Sequence, residues 1–240
     1  VELNVGDVAR LLAVAERTVR RWVRDGSLPS HRVHDQHRFH PVEIQEWALA
    51  HGHPLPPGLL PPAPPEDPDT LGGALERGGI FHGLAGGSRE EVLEAAANLP
   101  GIPPTVDRRL LYELLVAREG LAPTAVGDGI AIPHPRDPVI VPTQEPLVLL
   151  ALLRHPVDFR ALDGRPVQAL FLLLSPSVRQ HLRMFARLAF ALHDEALKGL
   201  LLGAASRESI LDRIRAVESG DARARGGGPP DALPAASGRR

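Results

Sequence analysis

Residues 53–69 contain eight prolines between Pro54 and Pro68 and almost no hydrophobic periodicity. Proline fixes φ and removes a backbone donor, so such a stretch joins neither a helix interior nor a central strand. It predicts a semi-rigid, polyproline-type spacer between two folding units. The 240-residue chain thereby divides into a small module over residues 1–52 and a larger domain over residues 70–218. Residues 219–240 are dominated by Gly, Pro, Ala and Arg and are expected to be disordered. A hydrophobic content of 43% suits a chain that buries a core, and no apolar run approaches the length needed to cross a bilayer. Zero cysteines exclude disulfides and thiolate metal sites and fit a cytoplasmic protein. The net charge of −2 gives no global basicity. No cofactor is implied.

In the larger domain, Ser88 to Leu99 reads as a helix opened by a capping-box pattern, Ser88 with Glu91. Asp107 to Ala117 is a second helix with Leu110, Leu111, Leu114 and Leu115 apolar, and Ser177 to Leu192 a third. Glu195 to Leu202 and Ser206 to Val217 complete the helices. Strands are predicted at Gly129–Ile132, Pro146–Leu153 and Val167–Leu174. Strands interleaved with helices give an α/β domain with a mixed sheet.

One stretch carries chemistry: Thr124 to Arg136, T-A-V-G-D-G-I-A-I-P-H-P-R. Gly127 and Gly129 permit a tight turn with positive φ. Pro133 and Pro135 hold the backbone around His134 extended, so this histidine is mounted at the end of a strand, within reach of another molecule. The segment resembles the phosphorylation loop of the IIA proteins of the bacterial phosphotransferase system, of the fructose/mannitol and nitrogen-regulatory type. Leu71 to Ile80, Leu114 to Glu119 (L-L-V-A-R-E), Val157 to Val167 and Ser175 to Leu188 resemble further blocks of that family, in the family's order.

The resemblance implies a IIA-like mixed sheet flanked by helices, with His134 as phosphoryl acceptor and His181 as a second site histidine. It implies an HPr-like phosphocarrier as donor and a IIB protein as a further partner. His181, near a helix N-terminus, would hydrogen-bond a phosphoryl oxygen or orient His134. Arg118 would supply fixed positive charge or cap its own helix, and Thr124 would supply a hydroxyl or stabilise the glycine turn. Such a protein carries a phosphoryl group on histidine rather than turning over as an enzyme. Pro135 stands where the family commonly has glycine, and Arg136 where lysine or threonine often follows.

In the N-terminal module, Asp7 to Leu12 and Glu16 to Arg24 read as two helices joined by a tight turn. His31 to Phe39 reads as a small hairpin, and Pro41 opens a last helix with Ile44 and Trp47 apolar. The order resembles the excisionase/MerR-like winged helix-turn-helix. It implies binding to duplex DNA through Arg17, Thr18, Arg20, Arg21, Arg24 and Arg38, and a homodimer or neighbouring protein to support a weak single module. Seven arginines face seven acids in this region, yet Glu2, Asp7, Glu43 and Glu46 lie away from the arginine helix. A protein-interaction module with a solvated arginine face is the competing reading. His31, His34, His37 and His40 recur every three residues, which on a hairpin scatters them over both faces and leaves them as wing residues rather than metal ligands.

The chain is thus read as a phosphotransferase-linked regulator. Its alternatives are a plain phosphocarrier for sugar uptake and a IIA-like sensor that binds without being phosphorylated.

Overall fold

The computed structural model describes residues 2–51, 53, 69–137 and 142–220. The proline-rich spacer and the C-terminal tail therefore lie almost entirely outside the described residues.

The N-terminal module contains α1 (Val5–Leu11), α2 (Glu16–Arg24), a hairpin of β1 (His31–Val33) and β2 (Gln36–Arg38), and α3 (Pro41–Ala50). Helix α1 starts two residues earlier than the apolar pattern suggests. Asn4 is its N-cap: the Asn4 side chain accepts from Asp7 N, and the Asp7 carboxylate accepts from Asn4 N, both at 3.0 Å. The hairpin turns at His34 and Asp35, both with positive φ. Val8, Leu12, Val19, Leu28, Phe39, Ile44, Trp47 and Ala48 form its core.

The larger domain opens with α4 (Leu71–Gly78), β3 (Ile80–Leu84), α5 (Arg89–Ala97) and α6 (Arg108–Leu121). It continues through β4 (Ala125–Gly127), β5 (Ile130–Ala131), β6 (Leu147–Val157) and β7 (Val167–Leu174), then α7 (Val178–Ala191), α8 (Glu195–Leu202) and α9 (Arg207–Glu218). The five-stranded sheet has the order β3-β6-β7-β5-β4 and is mixed: β3–β6 and β5–β7 are parallel, β6–β7 and β4–β5 antiparallel. Three strand readings differ from the sequence pattern: β4 adds a short strand before the glycine turn, where none was expected. Ile80–Leu84 is an edge strand that the short I-F-H-G-L run does not announce, and β6 runs past Arg154 to Val157. Arg154 and the two residues after it are exposed, beyond the last pairing with β3 at Leu153, and Val157 then returns to the core opposite Val167.

Alternation along β6 and β7 divides the core in two. Val148, Leu150, Leu152, Ala169, Phe171 and Leu173 face α4, α7, α8 and α9; Leu149, Ala151, Leu170, Leu172 and Leu174 face α5 and α6. The result is a helix–sheet–helix sandwich. Gly78 lets α4 lie directly on the sheet, because a Cβ there would stand 2.2 Å from the carbonyl oxygen of Val148.

Helix α3 belongs to both units. One side carries Ile44, Trp47 and Ala48 into its own module. Val42, Glu46 and Leu49 recur at i, i+4 and i+7 on the opposite side, and Leu49 packs against the core of the larger domain. The helix rests on α7 and β4.

Candidate functional site

The site grows out of the β4–β5 hairpin. Gly127, Asp128 and Gly129 all have positive φ, a tight turn that folds Thr124 back beside Ile132, whose N–H donates to the Thr124 carbonyl at 3.0 Å. The Leu173 N–H donates to the Pro133 carbonyl at 3.0 Å, extending the pairing with β7 up to the residue before His134. His134 is therefore held rigidly at the carboxyl end of β5. Ser177 caps α7, accepting from Gln180 N, and places His181 in the first turns of that helix. Arg118 stands in the last turn of α6 and donates through Nη1 to the Ala122 carbonyl at 2.7 Å. It does cap its own helix, and its second nitrogen is left for the site.

These residues converge. The rings of His134 and His181 lie 5.0 Å apart, tilted by 50°. Nδ1 of His134 lies 2.7 Å from the Ile132 carbonyl, which can only accept, so Nδ1 carries a proton and Nε2 is the ring nitrogen that faces the site. The hydroxyl of Thr124 donates to Glu119 at 2.5 Å, and Glu119 also accepts from Thr124 N at 3.1 Å. Burial pushes the Glu119 carboxyl up, against the downward pull of those hydrogen bonds. Glu119 was visible in the sequence only as the end of the L-L-V-A-R-E block, and it is the group that orients Thr124.

His181 is fully buried and neither ring nitrogen has a hydrogen-bond partner among the described residues. Burial, then the charge of His134 nearby, holds its pKa down at about 3. Two unpaired nitrogens in a buried imidazole are costly unless a ligand uses them.

Among the described residues, the site is occupied from the N-terminal module. Glu46 Oε1 lies 2.5 Å from His134 Nε2, and Glu46 Oε2 accepts from Arg118 Nη2. Beside them, Glu43 pairs with Arg136 at 2.8 Å. Burial raises the Glu46 carboxyl, but His134 and then Arg118 outweigh it and hold its pKa at about 2. The expectation that His134 stands within reach of another molecule is not met: it is 1% exposed, because Glu46 of α3 lies over its Nε2. The space left among Glu46, Arg118, Thr124, His134 and Phe185 is about 10 Å³, no more than one water needs.

The predicted DNA-facing residues are elsewhere. Arg17, Arg20, Arg21 and Arg24 are exposed on α2, with Arg20 paired to Glu16 at 2.8 Å; Thr18 is half-buried, and Arg38 donates to Gln36 on the hairpin. Among the recurring histidines, His31 pairs with Glu2 and His37 with Ser30. Among the described residues, no group of three or more His, Asp or Glu is placed to hold a metal, and no helix is long and apolar enough to cross a membrane.

A neutral, buried His181 makes stability pH-dependent. Its folded pKa lies below the ordinary 6.5, so the unfolded chain binds the proton first, and stability is lost as pH falls from about 6.5 towards 3. The slope is up to about 1.4 kcal/mol per pH unit. Glu46 contributes in a lower window, its share being lost as pH falls from 4.5 towards 2. Urea unfolding at pH 7.5 and pH 5 is expected to show wild-type stability falling on acidification and His181→Asn falling much less. An identical fall in both would remove His181 as its cause.

Comparison with known proteins agrees with this architecture. Residues 74–217 match the family described as phosphoenolpyruvate-dependent sugar phosphotransferase system, EIIA 2, and residues 2–52 match a helix-turn-helix domain family. The nitrogen regulatory protein of Pseudomonas aeruginosa is 39% identical over 140 residues, covering 57% of this chain and 89% of that protein. That of Bradyrhizobium diazoefficiens is 37% identical, covering 50% of this chain and 76% of its own length. The crystal structure of nitrogen regulatory protein IIA-Ntr from Neisseria meningitidis superposes with a TM-score of 0.53 at 29% identity, covering 60% of this chain and 98% of that one. The chain belongs to the EIIA type-2 family of the phosphotransferase system, with a helix-turn-helix domain at its N-terminal end.

Proposed function

We propose that this protein is a phosphotransferase-linked regulator in which a DNA-binding module is coupled to a domain phosphorylated on His134. One observation carries the reading: His134 and Arg118 line one small space, and the ring of His181, with both nitrogens unpaired among the described residues, lies 5.0 Å from that of His134. Phosphoryl transfer to histidine needs a nucleophilic nitrogen in line with the leaving atom and donors for the phosphoryl oxygens. With Nδ1 tied to the Ile132 carbonyl, the Nε2 lone pair attacks phosphorus of the donor's phosphohistidine. The new P–N bond forms as the donor's breaks, and the donor imidazole keeps that electron pair. Arg118 and His181 then face the phosphoryl oxygens, and Thr124, oriented by Glu119, lines the same space. The donor is an HPr-like phosphocarrier, and the natural setting is the cytoplasm, where carrier and DNA meet. Transfer onward to a IIB protein would use the same nitrogen.

The nitrogen regulatory relatives favour regulation over sugar uptake, and the exposed arginine face of α2 supports duplex DNA as the partner of the N-terminal module. Its arginines would meet phosphates or guanine edges in the major groove, with Arg38 on the adjoining hairpin. A second copy of the chain would strengthen so small a module.

Incubation with a phosphorylated HPr-like carrier is expected to place acid-labile, base-stable label on the wild type and none on His134→Ala. His181→Ala is expected to retain labelling but transfer at least tenfold more slowly, in line with the loss of an oxyanion donor. Label that persists in His134→Ala refutes the assignment.

For DNA, replacing Arg17 or Arg21 by alanine is expected to flatten the dependence of log affinity on log salt by about one unit where a phosphate contact is lost, or to relax sequence preference where a guanine contact is lost. Binding that is insensitive to salt in the full chain would instead favour the protein-interaction reading.

A further inference from the structure

The phosphoryl site is already occupied by part of the same chain. Glu46 is a two-oxygen anion bound through His134 Nε2 on one oxygen and Arg118 on the other. A carboxylate accepts hydrogen bonds and donates none, so the contact is satisfied when Nε2 carries a proton, which consumes the lone pair needed for attack. The remaining space of about 10 Å³ has no room for a phosphoryl group beside it.

Three features mark this as a built contact. The interface face of α3 is continuous: Val42 and Leu49 flank Glu46 along one stripe, and Val42 is buried although it lies outside its own module's core. A second ion pair, Glu43 to Arg136, fixes the register three residues away. Arg136 stands directly after Pro135 in the loop that carries His134, so the loop itself provides a partner for the docked helix.

We infer that the phosphohistidine pocket has a second, resident ligand, the Glu46 carboxylate of helix α3, which holds the phosphoryl position until the N-terminal module undocks. The inference rests on the reading of His134 as the phosphoryl acceptor. Docking and phosphorylation exclude one another. A phosphohistidine brings close to two negative charges to the place where Glu46 brings one, so phosphorylation expels α3, and a docked α3 shields His134 from the donor. Because both parts share a chain, the carboxylate competes at an effective concentration in the millimolar range. The arginine face of α2 stays exposed in the docked form, so what phosphorylation changes is the freedom of the module, not the accessibility of those arginines.

The full-length protein tests this by two independent readouts on His134. The first is its rate of carbethoxylation by diethyl pyrocarbonate, followed by peptide mass mapping; the second is its rate of phosphorylation by the carrier. Glu46→Ala is expected to raise both rates by roughly 5- to 150-fold, the usual range of such coupling. Glu46→Gln, which keeps the shape and loses the charge, is expected to raise them as well. Glu43→Arg is expected to accelerate both, and adding Arg136→Glu to it is expected to return them towards wild type, a reversal that misfolding cannot produce. Equal carbethoxylation rates in the wild type and all variants overturn the inference, whatever happens to phosphorylation. Protection of His134 in the wild type that is lost in Glu46→Ala, with neither protein phosphorylated by the carrier, keeps the carboxylate as a ligand and removes the phosphoryl-acceptor reading instead.

Discussion

The contact of Glu46 with His134 and Arg118 decides how the two halves of this protein stand to each other. Without it the helix-turn-helix module would keep the apolar contact of α3 with α7 and β4 and the exposed Glu43–Arg136 pair, but would have no link to the histidine pocket. A buried ion pair by itself adds little net stability, since desolvating a carboxylate, an imidazole and a guanidinium offsets most of their attraction. Its value lies in specificity. The apolar stripe of Val42 and Leu49 could slide on α7 and β4, but a carboxylate that must meet two fixed donors, and a second pair at Glu43 and Arg136, permits one register. Such a pair is also easily replaced: a phosphoryl group on Nε2 brings more negative charge and three acceptor oxygens to Arg118 and to the one nitrogen of neutral His181 that carries a proton.

The rigidity beneath the contact makes that exchange meaningful. His134 is fixed by the Ile132 carbonyl, by the glycine turn at Gly127–Gly129, and by pairing of Pro133 with β7. Arg118 is fixed by the end of its own helix, and Thr124 by Glu119. No part of the pocket has to be assembled when the ligand changes, so the difference in free energy between the two states falls on the module that moves.

Much of this was legible in the sequence, for definite physical reasons. The G-D-G-I-A-I-P-H-P run constrains its own backbone through positive-φ glycines and paired prolines, so the histidine loop could be placed from local rules alone. The continuous apolar runs of β6 and β7 and the capped starts of α5, α6 and α7 are local too. What escaped was set by tertiary pairing. Ile80–Leu84 is too short and too mixed to declare itself a strand before β6 lies beside it, and the end of β6 is an edge whose polar residues hide its pairing. Helix α3 was read by its first apolar face, Ile44 and Trp47. The second face, with Val42 and Leu49 around a glutamate, resembles a solvent-facing side until the sheet domain supplies a surface for it. Glu43 and Glu46 were correctly separated from the arginine helix, and their spacing of three was the available signal. Nothing local says that Arg136, itself a departure from the family's loop, is the partner of one and His134 of the other.

The central claim, that the docked and phosphorylated states exclude one another, is most directly tested by a distance. The native chain has no cysteine, so Arg10→Cys and Glu94→Cys, both at exposed surface positions, accept one spin label each. Double electron–electron resonance on the unphosphorylated protein is predicted to give one narrow distance between them, and phosphorylation of His134 is predicted to replace it with a broad distribution. A broad distribution before phosphorylation, or the same narrow distance after it, would contradict the account.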